Sequence, residues 1–180
     1  MKHVTILLTL GATLLTSAQA ATYQTVATEN SVIGFSYKQM GVPMEGQFKK
    51  FSAQVSLNTK QLDKAQGRIE IDLSSIDTGS SEADQEVMGK AWFNVPVHPK
   101  ALFVLKSLKS TGTHQYEATG QLTLKGQTRE MRTPLTLSPQ GLLSGRLVMK
   151  RADFGIGEGL WAKFDVVANE ITVHFNLNLK

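Results

Sequence analysis

The chain has 180 residues, with 19 Lys and Arg against 15 Asp and Glu, and no cysteine. That length suits one domain with a core of its own, and the near-balanced charge, with Lys49-Lys50 and Lys150-Arg151 as isolated surface pairs and no basic stripe, argues against a nucleic-acid partner. The lack of cysteine excludes disulfides, a thiol nucleophile and a sulfur metal site, so packing and sheet hydrogen bonds must supply the stability.

Residues 1–20 read as a secretory signal peptide. Lys2 and His3 precede an apolar run from Val4 to Leu15, and Ala18-Gln19-Ala20 places small residues before a cut at Ala21. The run falls short of the roughly 20 residues that span a bilayer. Loss of Lys2 leaves 18 basic against 15 acidic side chains on a soluble domain, 21–180. The expected compartment is a bacterial periplasm, or the medium if secretion is complete.

From there the signal has period two, the period of strands. Ile33, Phe35 and Tyr37 alternate with Gly34 and Ser36. The same pattern recurs at Ala53, Val55 and Leu57; Ile69, Ile71 and Leu73; Leu122 and Leu124; Leu135 and Leu137; and from Ile171 to Leu179. It is less clean around Gly145, Leu147 and Met149. Glycine and proline turn signals at Gly112, Gly126, Pro139–Gly141 and Gly155–Gly159 punctuate it. This predicts an all-β antiparallel meander of about eight strands with one apolar face, either a closed barrel or a two-sheet sandwich. Residues 160–167 read as a further strand after the glycine turn, which excludes a dinucleotide fingerprint there.

Two segments break the period. Residues 81–90 predict one short helix, with Ser81 as its cap and Asp84 as partner in a capping box, stopped by Pro96 and Pro99. Met40–Gly46 reads as a turn or a helical lid.

Catalytic patterns are missing from the sequence. His98, His114 and His174 show no zinc-like spacing, no serine occupies a G-x-S-x-G elbow, and there is no P-loop. Asp77, Asp84 and Asp153 lie near turns, where carboxylates meet helix N-termini and cap free N–H groups. The expectation is a protein that is not an enzyme, with no metal and no cofactor.

Three motifs in order carry a resemblance. They are Ser75-Ile76-Asp77-Thr78-Gly79 with Asp84, Trp92-Phe93-Asn94-Val95 and Pro99; Gly120-Gln121-Leu122-Thr123-Leu124-Lys125-Gly126-Gln127-Thr128; and Arg151-Ala152-Asp153-Phe154-Gly155-Ile156-Gly157. Together they resemble the YceI-like family of polyisoprenoid-binding proteins over Tyr23 to Leu179. Ala83 stands where that family usually has arginine, and Trp92 where it often has phenylalanine. The resemblance implies an extended lipocalin-like antiparallel barrel. It also implies an internal pocket for an isoprenoid lipid or quinone tail, held for carriage, storage or sequestration.

Candidate pocket residues are Phe35, Tyr37, Met40, Phe48, Phe51, Val55, Trp92, Phe93, Phe103, Leu122, Leu124, Phe154, Trp161 and Phe175. Small Ala53 and Ala118 are expected to face inward with them, and Ser36 and His174 outward. Met40, Met44 and Met88 are candidates for adaptable contacts at the mouth. Partners implied are an apolar lipid, no nucleic acid, and transient contact with a membrane or membrane protein; the oligomeric state stays open, a homodimer included. The alternatives are a β-barrel interaction module without lipid and an enzyme acting on an isoprenoid.

Overall fold

The computed structural model describes residues 21–180; the signal-peptide reading lies outside the described residues. The strands, in chain order, are β1 (Thr22–Tyr23), β2 (Val32–Gln39), β3 (Val42–Phe48), β4 (Phe51–Asn58), β5 (Gln66–Asp72) and β6 (Ile76–Asp77). A helix, α1 (Ser81–Met88), follows. Then come β7 (Lys100–Gly112), β8 (Gln115–Leu124), β9 (Gln127–Leu137), β10 (Leu142–Lys150) and β11 (Glu170–Asn178).

They form one antiparallel sheet in the order β1-β4-β5-β7-β8-β9-β10-β11-β2-β3-β6. Nine strands are long, against about eight expected; β1 and β6 have two residues each. The sheet curls into a barrel with a seam. β3 and β4 are consecutive in the chain, yet among the described residues they share no ladder and form the two ends of the main sheet. Only Lys49-Lys50 joins them. Ser75 staples this corner: its carbonyl accepts from Lys49 N at 3.0 Å and its hydroxyl from Lys50 N at 2.9 Å.

The alternating residues behave as the period requires. Along β8, Tyr116, Ala118, Leu122 and Leu124 are buried while Gln115, Glu117 and Gln121 are exposed. Two strands escaped the period for identifiable reasons. β7 carries a continuous apolar run, Ala101 to Leu105, and a bulge between Leu105 and Ser107 shifts its register, which masks alternation. β3 contains Pro43, and residues 40–46 are not a helical lid. Met40 and Gly41, both with positive φ, make a two-residue hairpin turn, and β3 pairs with β2 from Val42 to Phe48. Proline is tolerated there because β6 covers the outer edge of β3 only at Gln47 and Phe48.

The helix is where the sequence places it, but its cap differs. Ser80, not Ser81, is the N-cap, and its side chain accepts from Ala83 N at 3.4 Å. Asp84 does not close a capping box. It accepts from Thr78 N at 2.8 Å and Thr78 Oγ1 at 2.7 Å, tying α1 back to the end of β6. Ser80→Ala is therefore expected to cost about 0.5–1 kcal/mol, and Ser81→Ala less than about 0.5 kcal/mol. Urea titrations of both variants check this; equal losses would refute the assignment of the cap.

Residues 160–167 form no strand. After Gly155, Gly157 and Gly159, all with positive φ, the chain makes a short 3-10 turn, Gly159–Trp161. It then closes on β2 through Met40 N to Val166 O at 2.8 Å and Ala168 N to Lys38 O at 2.9 Å.

Candidate functional site

A cavity of about 470 Å³ runs inside the barrel, within the roughly 300–1,000 Å³ usual for small-molecule sites. One end lies among Ile33, Leu57, Leu135 and Leu177, in a cluster with buried Tyr116 and Ala118. The other lies among Leu73, Trp92, Leu122, Leu124, Leu147 and Met149. The wall between these ends is lined mainly by apolar side chains.

Part of the reason the space is not filled lies in glycine. The ring tip of Phe35 comes within 2.4 Å of where a Cβ on Gly46 would stand, that of Phe103 within 2.2 Å at Gly120, and that of Phe175 within 2.5 Å at Gly145. Phe35–Gly46 and Phe175–Gly145 are direct cross-strand pairs. Each ring folds over the bare backbone of the neighbouring strand and lies along the wall instead of projecting into the lumen. A side chain at any of the three glycines would push a ring off the wall.

Eleven of the candidate pocket residues line the cavity: Phe35, Tyr37, Phe48, Val55, Trp92, Phe93, Phe103, Leu122, Leu124, Trp161 and Phe175. Three do not. Met40 is exposed at the tip of the β2–β3 hairpin. Phe51 starts β4 beside the Lys49-Lys50 corner and packs against the Leu57 cluster without reaching the cavity. Phe154 is buried in the core behind the wall, on a 3-10 turn. Met44 and Met88 are also absent from the lining, whereas Ala118 belongs to it and Ala53 does not. The residues that sequence reasoning missed, among them Ile33, Leu105, Leu147 and Val173, are ordinary aliphatics on alternating strands. Their period was visible; nothing marked them as wall and not as filled core.

Polar groups gather at one end, where α1, β2 and the 155–167 loop meet. Gln39, Thr78, Glu82 and Glu86 contribute to the lining there. Trp161 Nε1 donates to Glu86 Oε1 at 2.7 Å, a bond between the loop and α1 across this end. The Tyr37 hydroxyl is raised above its ordinary pKa, first by burial and then by the nearby Asp84 carboxylate, so it is a neutral O–H at physiological pH. Trp92 Nε1 is buried with no partner, which costs about 1–3 kcal/mol.

Arg151 is the largest correction to the sequence reading, which took Lys150-Arg151 as a solvated pair. It is 1% exposed and touches the cavity. Its guanidinium donates to the carbonyls of Ile156, Gly157, Trp161, Lys163, Val167 and Ala168, at 2.8 to 3.2 Å. It also lies 5.3 Å from the Trp92 ring centroid and 5.1 Å from that of Phe164. Burial lowers its proton affinity without discharging it at neutral pH. All five of its N–H donors are spent on backbone, so it knots the loop and offers no free fork to an anion.

Asp77 pairs with Lys49 at 3.0 Å and accepts from Gly79 N at 3.1 Å, and these two contacts, Lys49 first, hold its carboxyl below the usual range. Asp153 is exposed on its 3-10 turn. His114 is exposed in the β7–β8 turn, and His174 packs across Gly34. Among the described residues, no three His, Asp or Glu side chains are grouped to hold a metal.

The family model of the YceI-like domain matches residues 24–179. A UPF0312 protein of Photorhabdus laumondii is 32% identical over 133 residues, covering 72% of this chain and 69% of that one. Among solved structures, BcnA of Burkholderia cenocepacia is similar at a TM-score of 0.82 and 35% identity, covering 84% of this chain and 98% of that chain. A polyisoprenoid-binding domain from Saccharophagus degradans shares the fold at a TM-score of 0.65 and 15% identity, covering 87% of this chain and 97% of that chain.

Proposed function

The chain belongs to the YceI-like family, and from that premise we propose that it holds the apolar tail of an isoprenoid lipid, a polyprenyl chain or the side chain of a quinone, inside its barrel. The observation that carries this reading is the continuous apolar cavity, whose Phe35, Phe103 and Phe175 rings are folded back over glycine. A prenyl tail has no polar group to recognise, so affinity comes from apolar burial, at about 25 cal/mol per Å², less the cost of ordering a flexible chain. A fold neighbour named for binding polyisoprenoids supports the same class of ligand.

The protein binds and does not transform. Three titratable groups at the cavity end where polar groups gather have structural partners: Glu86 holds Trp161, Asp84 holds Thr78, and Arg151 holds the loop. A role in carriage, storage or sequestration outside the cytoplasm goes with the leader-like residues 1–20, and no bound cofactor other than the lipid is needed.

Mass spectrometry on protein purified without detergent from its own source tests both halves at once. The denatured mass is expected to begin at Ala21. The native mass is expected to exceed it by a lipid that organic extraction releases and fragmentation identifies as prenyl. An empty native protein, or a bound molecule lacking a prenyl or comparable long apolar chain, would sink the reading.

A further inference from the structure

The apolar residues that the fold leaves in solvent are concentrated on two segments beside one end of the cavity. Leu160 is 96% exposed, Met40 72%, Val42 57%, Phe164 48% and Val166 36%. These are five of the eight large hydrophobic residues that are exposed in the described chain; the other three, Val32, Val97 and Val148, lie on other segments. The five come from two segments that touch. Met40 N donates to Val166 O, and Gln39 bridges Val167. Gln39, Trp161 and Val167, which these segments carry, line the cavity. The exposed apolar residues thus sit on the same two segments that supply part of the cavity lining.

The loop that presents Leu160 and Phe164 is not loose chain. Arg151 holds carbonyls on both sides of Leu160, from Ile156 and Gly157 to Trp161, Lys163 and Val167. Lys125 anchors its start through Gly155 O at 2.6 Å and Glu158 at 3.0 Å. A single exposed leucine needs no explanation, but a fixed group of apolar side chains beside the cavity end at Gln39 and Trp161 marks a contact surface. Its charges are mixed: Lys163 and Asp165 flank Phe164, and Glu158 is already paired with Lys125.

We infer that this surface docks on a lipid bilayer, with Leu160, Phe164, Met40, Val42 and Val166 entering the acyl boundary and this end of the cavity facing the membrane. The inference rests on the proposed lipid ligand, because a prenyl tail resides in a bilayer and can enter the barrel there without crossing water. Binding at the headgroup–acyl boundary strengthens with the apolar area buried there, and five exposed apolar side chains supply such area. The mixed charge makes the contact hydrophobic and not a counterion effect, so salt should leave it nearly unchanged.

The test uses the ligand-free chain from Ala21 to Lys180 and vesicles of phosphatidylcholine. The unmodified protein is expected to float with the vesicles equally at low and high salt, and brominated acyl chains should quench Trp161, the neighbour of Leu160. Leu160→Glu with Val42→Glu, neither residue lining the cavity, should lower vesicle partition by about tenfold or more, with an unchanged melting temperature. Uptake of a short-tailed prenylquinone from vesicles should fall likewise, while its uptake from detergent solution stays the same.

Failure of the unmodified protein to bind vesicles would overturn the inference, as would binding that salt abolishes or that the double variant retains. Self-association abolished by the same substitutions, in place of vesicle binding, would assign the patch to a second copy. Failure to take the quinone from detergent would instead count against the lipid-binding reading, and flotation would still judge the docking.

Discussion

Arg151→Met is expected to destabilise the folded chain by about 3–5 kcal/mol, the cost of leaving several buried carbonyls without their donors. The substitution keeps much of the apolar stem but removes every donor to six carbonyls. If only two or three of those carbonyls remain buried and unpaired, the loss is already about 1–3 kcal/mol for each. Against a total stability of about 5–15 kcal/mol this is a large share. Arg151→Lys should recover little, because an ammonium on a shorter reach cannot reproduce a planar fork that serves carbonyls from Ile156 to Ala168. Gly157→Ala should act on the same knot, since a Cβ there would lie 1.9 Å from Arg151 Nη1. The two changes should therefore be far from additive. Urea denaturation followed by fluorescence of Trp92 and Trp161 measures all of them. A loss below about 1 kcal/mol for Arg151→Met would mean that the knot is ornamental.

Val173→Trp is expected to abolish lipid retention while the ligand-free melting temperature stays close to that of the unmodified protein. Val173 lines the cavity from the middle of β11, opposite Leu147 on one side and Phe35 on the other, and is only partly buried. Open space beside it can take the indole. Phe35→Trp is the contrasting case. Phe35 is 8% exposed and already lies against Gly46 and the Phe48 ring, so a larger ring there should cost about 1–3 kcal/mol by overpacking. Ser36→Ala and His174→Ala, on the other face of the same strands, should each stay within about 0.5 kcal/mol and keep the lipid. Native mass spectrometry and thermal melts on the four proteins decide it. Equal destabilisation by Val173→Trp and Phe35→Trp, with lipid still bound to both, would show that the ligand lies elsewhere.

Much of the barrel was legible because an antiparallel strand with one wet face writes its period directly into the chain, as at Ile33-Phe35-Tyr37 and Ile171 to Leu179. The family motifs then chose barrel over sandwich, a choice that period two leaves open. Legibility failed where the period is masked. Ala101 to Leu105 is apolar throughout and bulged, Pro43 reads as a breaker, and three glycines between 155 and 159 bend the following residues into a loop that closes on β2. The start of the helix was readable and its end to within two residues, but its cap was displaced from Ser81 to Ser80 because two adjacent serines offer the same chemistry. Phe51 and Phe154 were expected in the pocket wall, but Phe51 is only half-buried and Phe154 lies behind the wall; a linear pattern cannot distinguish a residue in the wall from one behind it.

The sequence by itself determined the strand faces, the helix that starts at Ser81 and the lack of cysteine chemistry, since these follow from local spacing and residue type. Only the tertiary structure decided whether the inward face encloses space. That depends on which residue stands across the ladder from each phenylalanine, and the register places Gly46 and Gly145 opposite Phe35 and Phe175. It alone decided the fate of Arg151 as well. A guanidinium beside Lys150 looks solvated in one dimension. In three it is enclosed by carbonyls up to seventeen residues away, and a buried cation is tolerable because every one of its donors has found an acceptor.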